Sequence, residues 1–235
     1  MHKFIVANYK MNGNLKFYKS VAKNLNSIKV KDTEIILCPP FVYLSCLKIK
    51  NKNVFVGCQD IAEIKNGKST GQISPEMLQD FSVKYTIVGH SERRAIYETD
   101  SIVANKTKLA IEHGIVPIVC VGEDKKSSAI SSVLEQVEAV LYACNNASKI
   151  IFAYEPVWAI GSGEIPTNEK INRVVNKIKK TISNHGIEPI CLYGGSVNDQ
   201  NFENILKTNI DGFLLGGVSK DIEKFKMIVK GVSND

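Results

Sequence analysis

Eight short apolar runs, separated by segments of helical period, constrain this sequence more than any other feature. They are FIVANY (4–9), EIILC (34–38), VFVGC (54–58), YTIVG (85–89), PIVCVG (117–122), IIFAY (150–154), ICLYG (190–194) and GFLLG (212–216). Each is rich in Val, Ile and Phe with little polar alternation, the pattern of strands covered on both faces. Between them, Ile171, Val174, Val175, Ile178 and Ile182 make one apolar stripe within 167–185. Ile130, Val133, Leu134, Val137 and Leu141 make another within 128–144. Amphipathic helices read this way. Ser132 and Glu135 stand at capping-box spacing, which predicts that the second helix starts a turn later than its stripe. EHGIVPIVC (112–120) echoes NHGIEPICL (184–192): each reads as a helix closed by glycine, then a proline-led strand.

Strand–helix alternation implies parallel strands joined by right-handed crossovers. Eight such units, with no linker or low-complexity stretch, predict an α/β chain: one (β/α)8 barrel domain over residues 1–235. The alternative is an open doubly wound sheet; no G-x-G-x-x-G follows a strand, which weakens its dinucleotide-binding form. A chain of 26.0 kDa buries enough surface to need no disulfide or metal staple. A hydrophobic share of 44% and a charged share of 23% fit a globular chain and exclude a disordered one.

The cysteines at 38, 46, 58, 120, 144 and 191 form no C-x-x-C pair and have no ligand-spaced histidines. That argues against zinc and a secreted disulfide framework. The formal net charge of +6 raises the question of nucleic acid. Lysines, however, are spread over helix faces, as in KINRVVNKIKK, so no nucleic-acid partner is expected; a positive bias still helps collect an anionic substrate. MHKFIVANYK has too short an apolar core for a signal peptide, and no run approaches a membrane span, so the expectation is a cytoplasmic protein without membrane contact. The N-x-S/T matches at Asn105 and Asn146 are then chance.

In a barrel, chemistry belongs just after the C-terminal ends of the strands. After the first run come Asn8, Lys10 and Asn12; after the fourth, His90, Ser91 and Glu92. Glu123 follows the fifth and Glu155 the sixth. The seventh leads into Gly194, Gly195 and Ser196, and the eighth into Gly216 and Gly217. Glycine lets backbone N–H groups approach a ligand, so two such pairs point to phosphate, with tight turns alone as the plainer reading. NGKS at 66–69 is set aside as a nucleotide site, because Ala62 stands where the first glycine of a P-loop belongs.

Among the histidines, His2 is terminal, and His113 and His185 precede glycines at helix ends, where a cation suits the dipole. His90 alone sits at a strand's C-terminal end, as either a catalytic or a structural hydrogen-bonding group. A helix beginning in SERRAIYE would keep its ring neutral. Glu155 and Glu123 compete as a general base. Glu155 is favoured because a glycine-bearing segment with an aromatic, Trp158, follows it, a composition that suits a lid. Trp158 reads equally as a packed aromatic, and Lys10 as a Schiff-base lysine or a fixed charge.

ANYKMNG, VGHSERR, AYEPVWAIGSG, YGGSV and DGFLLGG, in this order from Ala7 to about Ser219, resemble the triosephosphate isomerase family. The resemblance implies a TIM barrel that needs no metal or cofactor and acts as a homodimer on a triose phosphate. It implies Glu155 as the base, His90 as a neutral imidazole that polarises the carbonyl, and Lys10 as an electrostatic stabiliser. Asn8 would position substrate, and Glu92 would hold Lys10. Gly161, Ser196, Gly216 and Gly217 would bind phosphate under a lid from Pro156 onward, and Glu123 would be structural. Four departures stand out. Tyr9 replaces a usual tryptophan. Gln72 replaces a glutamate that would pair across the dimer with Arg93. Glu164 and Pro166 alter the trailing half of the lid, and the segment after Glu123 is short. Two rivals remain at this level. A Schiff-base aldolase would depend on a lysine that borohydride traps; a non-catalytic phosphate-binding barrel would have no use for Lys10, His90 and Glu155 together.

Overall fold

The computed structural model describes residues 2–125, 130–145 and 147–233. Its strands are β1 (Lys3–Asn8), β2 (Thr33–Cys38), β3 (Val54–Cys58), β4 (Tyr85–Val88), β5 (Val116–Val121), β6 (Ile151–Tyr154), β7 (Ile190–Tyr193) and β8 (Gly212–Leu215). Each boundary lies within one residue of the run read from the sequence. Neighbours pair in parallel in chain order, and β1 pairs with both β2 and β8, which closes the barrel and excludes the open sheet.

Closure explains the missing alternation. Val6, Ile36, Ile87, Ile118, Ile151 and Leu192 fill the barrel interior, while intervening residues such as Ile5, Ile35, Val119 and Phe152 pack outward against helices. Both faces are dry, so both are apolar. The helices are α1 (Leu15–Asn26), α2 (Pro75–Gln79), α3 (Ser91–Arg94), α4 (Asp100–Glu112), α5 (Ile130–Ala143), α6 (Asn168–Asn184), α7 (Phe202–Leu206) and α8 (Ile222–Val232). A 3-10 turn at Phe41–Cys46 stands in for a helix between β2 and β3.

The stripe read in 167–185 is the set of residues that α6 buries. The echoed segments end alike. His113 and His185 are C-caps, and Gly114 and Gly186 follow at φ of +70° and +74°. Ile115 N–H then reaches back to Ala110 O at 2.9 Å, and Ile187 N–H to Ile182 O at 3.4 Å. Only a left-handed residue permits that closure, hence the two glycines. The capping-box expectation fails: α5 is already helical at Ile130, so Ser132 lies inside it. Ile130 and Leu134 pack against the core beside the buried Val133 and Val137, and that packing outweighs a local cap.

All six cysteines are free thiols, and all but Cys46 are buried. Burial pushes Cys58 and Cys191 up to about 12, which removes them as nucleophiles. Asn105 lies within α4, and Asn146 and the residues at 126–129, in the short segment after Glu123, lie outside the described residues. Among the described residues no helix is long and apolar enough to cross a membrane.

Candidate active site

The C-terminal ends of the strands surround a cavity of about 360 Å³. Asn8, Lys10, His90 and Glu155 line one part; Gly161, Ser196, Gly216 and Gly217 line another. Of the nine residues that the resemblance gives to the reaction, the substrate or the support of Lys10, folding therefore gathers eight around one space. The ninth, Glu92, meets it through Lys10.

Glu155 directly follows β6 and is 3% exposed. Its N–H is held by Val121 O at 2.8 Å, which continues the β5–β6 ladder one residue past the strand. Glycines just past both flanking strands make room. A Cβ on Gly122 would fall 1.7 Å from Glu155 O, and one on Gly194 2.8 Å from Glu155 Cγ. The carboxylate accepts from Ser91 N–H at 3.3 Å, and its other oxygen lies 3.4 Å from His90 Nε2.

His90 is the N-cap of α3, and its Nδ1 accepts from Glu92 N–H at 3.2 Å. That bond uses the Nδ1 lone pair, so the ring's proton sits on Nε2, the nitrogen nearer Glu155. A backbone donor thus sets the tautomer.

Lys10 adopts φ of +50°, a strained left-handed conformation for a lysine. Its N–H donates to Asn8 Oδ1 at 3.0 Å, and its carbonyl accepts from Gln59 Nε2 at 2.9 Å. The same nitrogen donates to Cys38 O at 2.9 Å, tying the loop to the end of β2. The ammonium lies 2.6 Å from Glu92 Oε1. The sequence reading missed Gln59. It follows β3 by one residue, but nothing local marks an amide whose acceptors lie on the loop after β1 and at the end of β2. It also missed Lys220, which lines the cavity in the turn Gly217–Lys220.

Glu123, the rival base, does not line this cavity. Its Oε1 accepts from Tyr154 Oη at 3.0 Å and Trp158 Nε1 at 3.2 Å, and Lys170 Nζ stands 3.0 Å away. Lys170 also lies 4.9 Å from the Trp158 ring centroid. The tryptophan is thus anchored to the barrel by an acid and a cation. Beyond it, Gly161 and Gly163 take φ of +70° and +78°, and Ser196 Oγ donates to Ala159 O at 2.6 Å, joining this segment to the loop after β7. Glu164 is exposed, whereas Pro166 is buried just before Thr167, the cap of α6.

Tyr9 is buried, edge-on to Phe17 and Tyr18, so it keeps an aromatic in the position at which the family resemblance expects tryptophan. Arg93 is engaged within its own chain, 2.9 Å from Asp60, 3.1 Å from Glu98 and 2.7 Å from Tyr97 Oη.

A family model described as "Triosephosphate isomerase" matches residues 3–232. Curated relatives of that name include one from Emericella nidulans, 39% identical over 231 residues, covering 92% of this chain and 93% of the relative. One from Wolbachia pipientis wMel is 38% identical (97% and 93%), and one from Buchnera aphidicola subsp. Cinara cedri 37% identical (96% of each).

Proposed function

The chain belongs to the triosephosphate isomerase family, and we propose that it interconverts dihydroxyacetone phosphate and glyceraldehyde 3-phosphate by moving a proton between adjacent carbons. The observation that carries the mechanism is convergence: a carboxylate, an imidazole N–H and an ammonium share one cavity with glycine loops that offer backbone donors. Removing a proton from a carbon next to a carbonyl needs a positioned carboxylate. It also needs donors aimed at the oxygen that becomes negative.

Glu155 is the base. His90 donates from Nε2 to the substrate oxygens and shuttles protons between them in the enediolate. Lys10 supplies fixed positive charge there, held by Glu92, and Asn8 positions the substrate. Gly161, Ser196, Gly216 and Gly217 take the phosphate. Its binding energy closes the segment from Pro156 onward and keeps water from the enediolate. The chemistry calls for no metal or organic cofactor.

A homodimer belongs to the same reading. The loops after β1, β2, β3 and β4 expose Met11, Val42, Ile64 and Ile96, with Met11 96% exposed. Apolar side chains grouped on neighbouring loops mark an association surface, and Thr70 stands in the same region. The reading places the enzyme in the cytoplasm, in glycolysis and gluconeogenesis.

The test is a coupled assay on purified protein, with glyceraldehyde 3-phosphate supplied and dihydroxyacetone phosphate consumed by a dehydrogenase that oxidises NADH. Steady oxidation is expected. Absence of turnover, or borohydride trapping of substrate on Lys10, overturns the proposal.

A further inference from the structure

On the rim opposite the cavity, the loops leading into β2, β3 and β4 carry an arc of lysines. Lys29 and Lys31 precede β2; Lys48, Lys50 and Lys52 precede β3; Lys84 precedes β4. All six are exposed, and among the described residues none has an ion-pair partner. The acids in these loops are Asp32 and Asp80 alone.

The arc is rigid. Asn26 donates to Lys48 O at 2.9 Å and accepts from Lys50 N–H at 2.7 Å. Asn51 donates to Ile28 O at 2.7 Å, and Asn53 to Val30 O at 2.8 Å. Lys31 N–H donates to Ser233 Oγ at 2.9 Å, which fastens the arc to the end of α8. Ile49 packs on the core and leaves Lys48 and Lys50, on either side of it, in solvent. Lys48, Lys50, Lys52 and Lys84 line one groove of about 540 Å³ together with Phe81, against a single acid among the described residues, Asp80. Unpaired like charges gathered on one groove make its potential positive, and a polyanion laid along them lowers that energy.

We propose that this arc docks the phosphate backbone of a nucleic-acid strand, without regard to sequence. The charges come from three successive loops of the rim, and four of them share one groove, which suits a polyanion that spans loop to loop. A flat anionic bilayer pressed on this face would also meet the far half of the rim, where Glu112 and Glu188 are exposed. The asparagines that would otherwise reach bases are committed to stitching the loops, which leaves only charge to do the binding. Along the chain these lysines belong to separate loops, and for that reason the sequence pattern argued against such a partner. The fold brings them to one edge. The inference does not depend on the isomerase reading.

The experiment is fluorescence anisotropy of a labelled oligothymidylate titrated with the full chain at several salt concentrations. Four phosphate contacts predict a slope of log affinity against log salt of about −3. Replacing Lys48, Lys50, Lys52 and Lys84 together by glutamate is expected to weaken binding at least about tenfold. The unfolding temperature and triose phosphate turnover should stay unchanged. Glutamine versions of the same four lysines keep the test decisive if charge reversal unfolds the chain. Salt-independent binding, equal binding by the variants, or displacement by triose phosphate overturns the proposal. So does binding to phosphatidylserine vesicles without binding to the oligonucleotide.

Discussion

Glu155 shows how little freedom a single side chain has here. Its backbone continues the β5–β6 ladder, it packs so close to Gly122 and Gly194 that neither could carry a side chain, and Ser91 N–H holds its carboxylate. On the proposed roles, Glu155→Asp withdraws the base by one methylene with no way to follow the substrate. A displacement of about 1 Å is expected to lower kcat about 100-fold while KM stays within a few-fold. Steady-state kinetics checks this, and an unchanged kcat removes Glu155 from the reaction. At this scale the sequence marked Glu155, His90 and Lys10 through their place after apolar runs. It had no means of marking Gln59, whose importance comes from two carbonyls, on Lys10 and Cys38, that are distant in the chain.

Between elements, the burial of charge is the sharpest feature. Lys106 on α4 is 0% exposed and lies 2.6 Å from Glu98 and 2.7 Å from Asp60, with Arg93 sharing both acids. In sequence Lys106 resembles any polar helix residue. The fold turns it inward because loops after β3 and β4 deliver two carboxylates to the same point. Lys106→Met leaves the fully buried Glu98 short of a cation and is expected to cost about 3–5 kcal/mol, read by chemical denaturation. A loss below about 1 kcal/mol would mean that Arg93 alone neutralises both acids. Helix starts and stops followed local rules where nothing competed, as at Gly114 and Gly186. At α5 the core prevailed over the capping signal of Ser132 and Glu135. The segment proposed as the trailing lid resolves in the same terms: Pro166 is buried just before the cap of α6, while Glu164 stays exposed.

For the whole molecule, the departure at Gln72 bears on assembly. In the proposed dimer, a glutamate at this exposed position would meet Arg93, which already has two in-chain carboxylates. Gln72→Glu is therefore expected to change the dimer dissociation constant less than about fivefold, the range of exposed ion pairs. Sedimentation at falling concentration measures this. A larger tightening would show that Arg93 exchanges its partners on association.

The sequence by itself determined the repeating unit, the parallel barrel and the set of strand ends that line the cavity. Each of these follows from periodicity and from residue types adjacent in the chain. The tertiary structure alone decided which carboxylate faces the cavity, how the His90 proton is placed, what strains and clamps Lys10, and where the lysines gather. These depend on contacts between residues far apart in the chain, and a linear pattern holds no record of distance across a closed barrel.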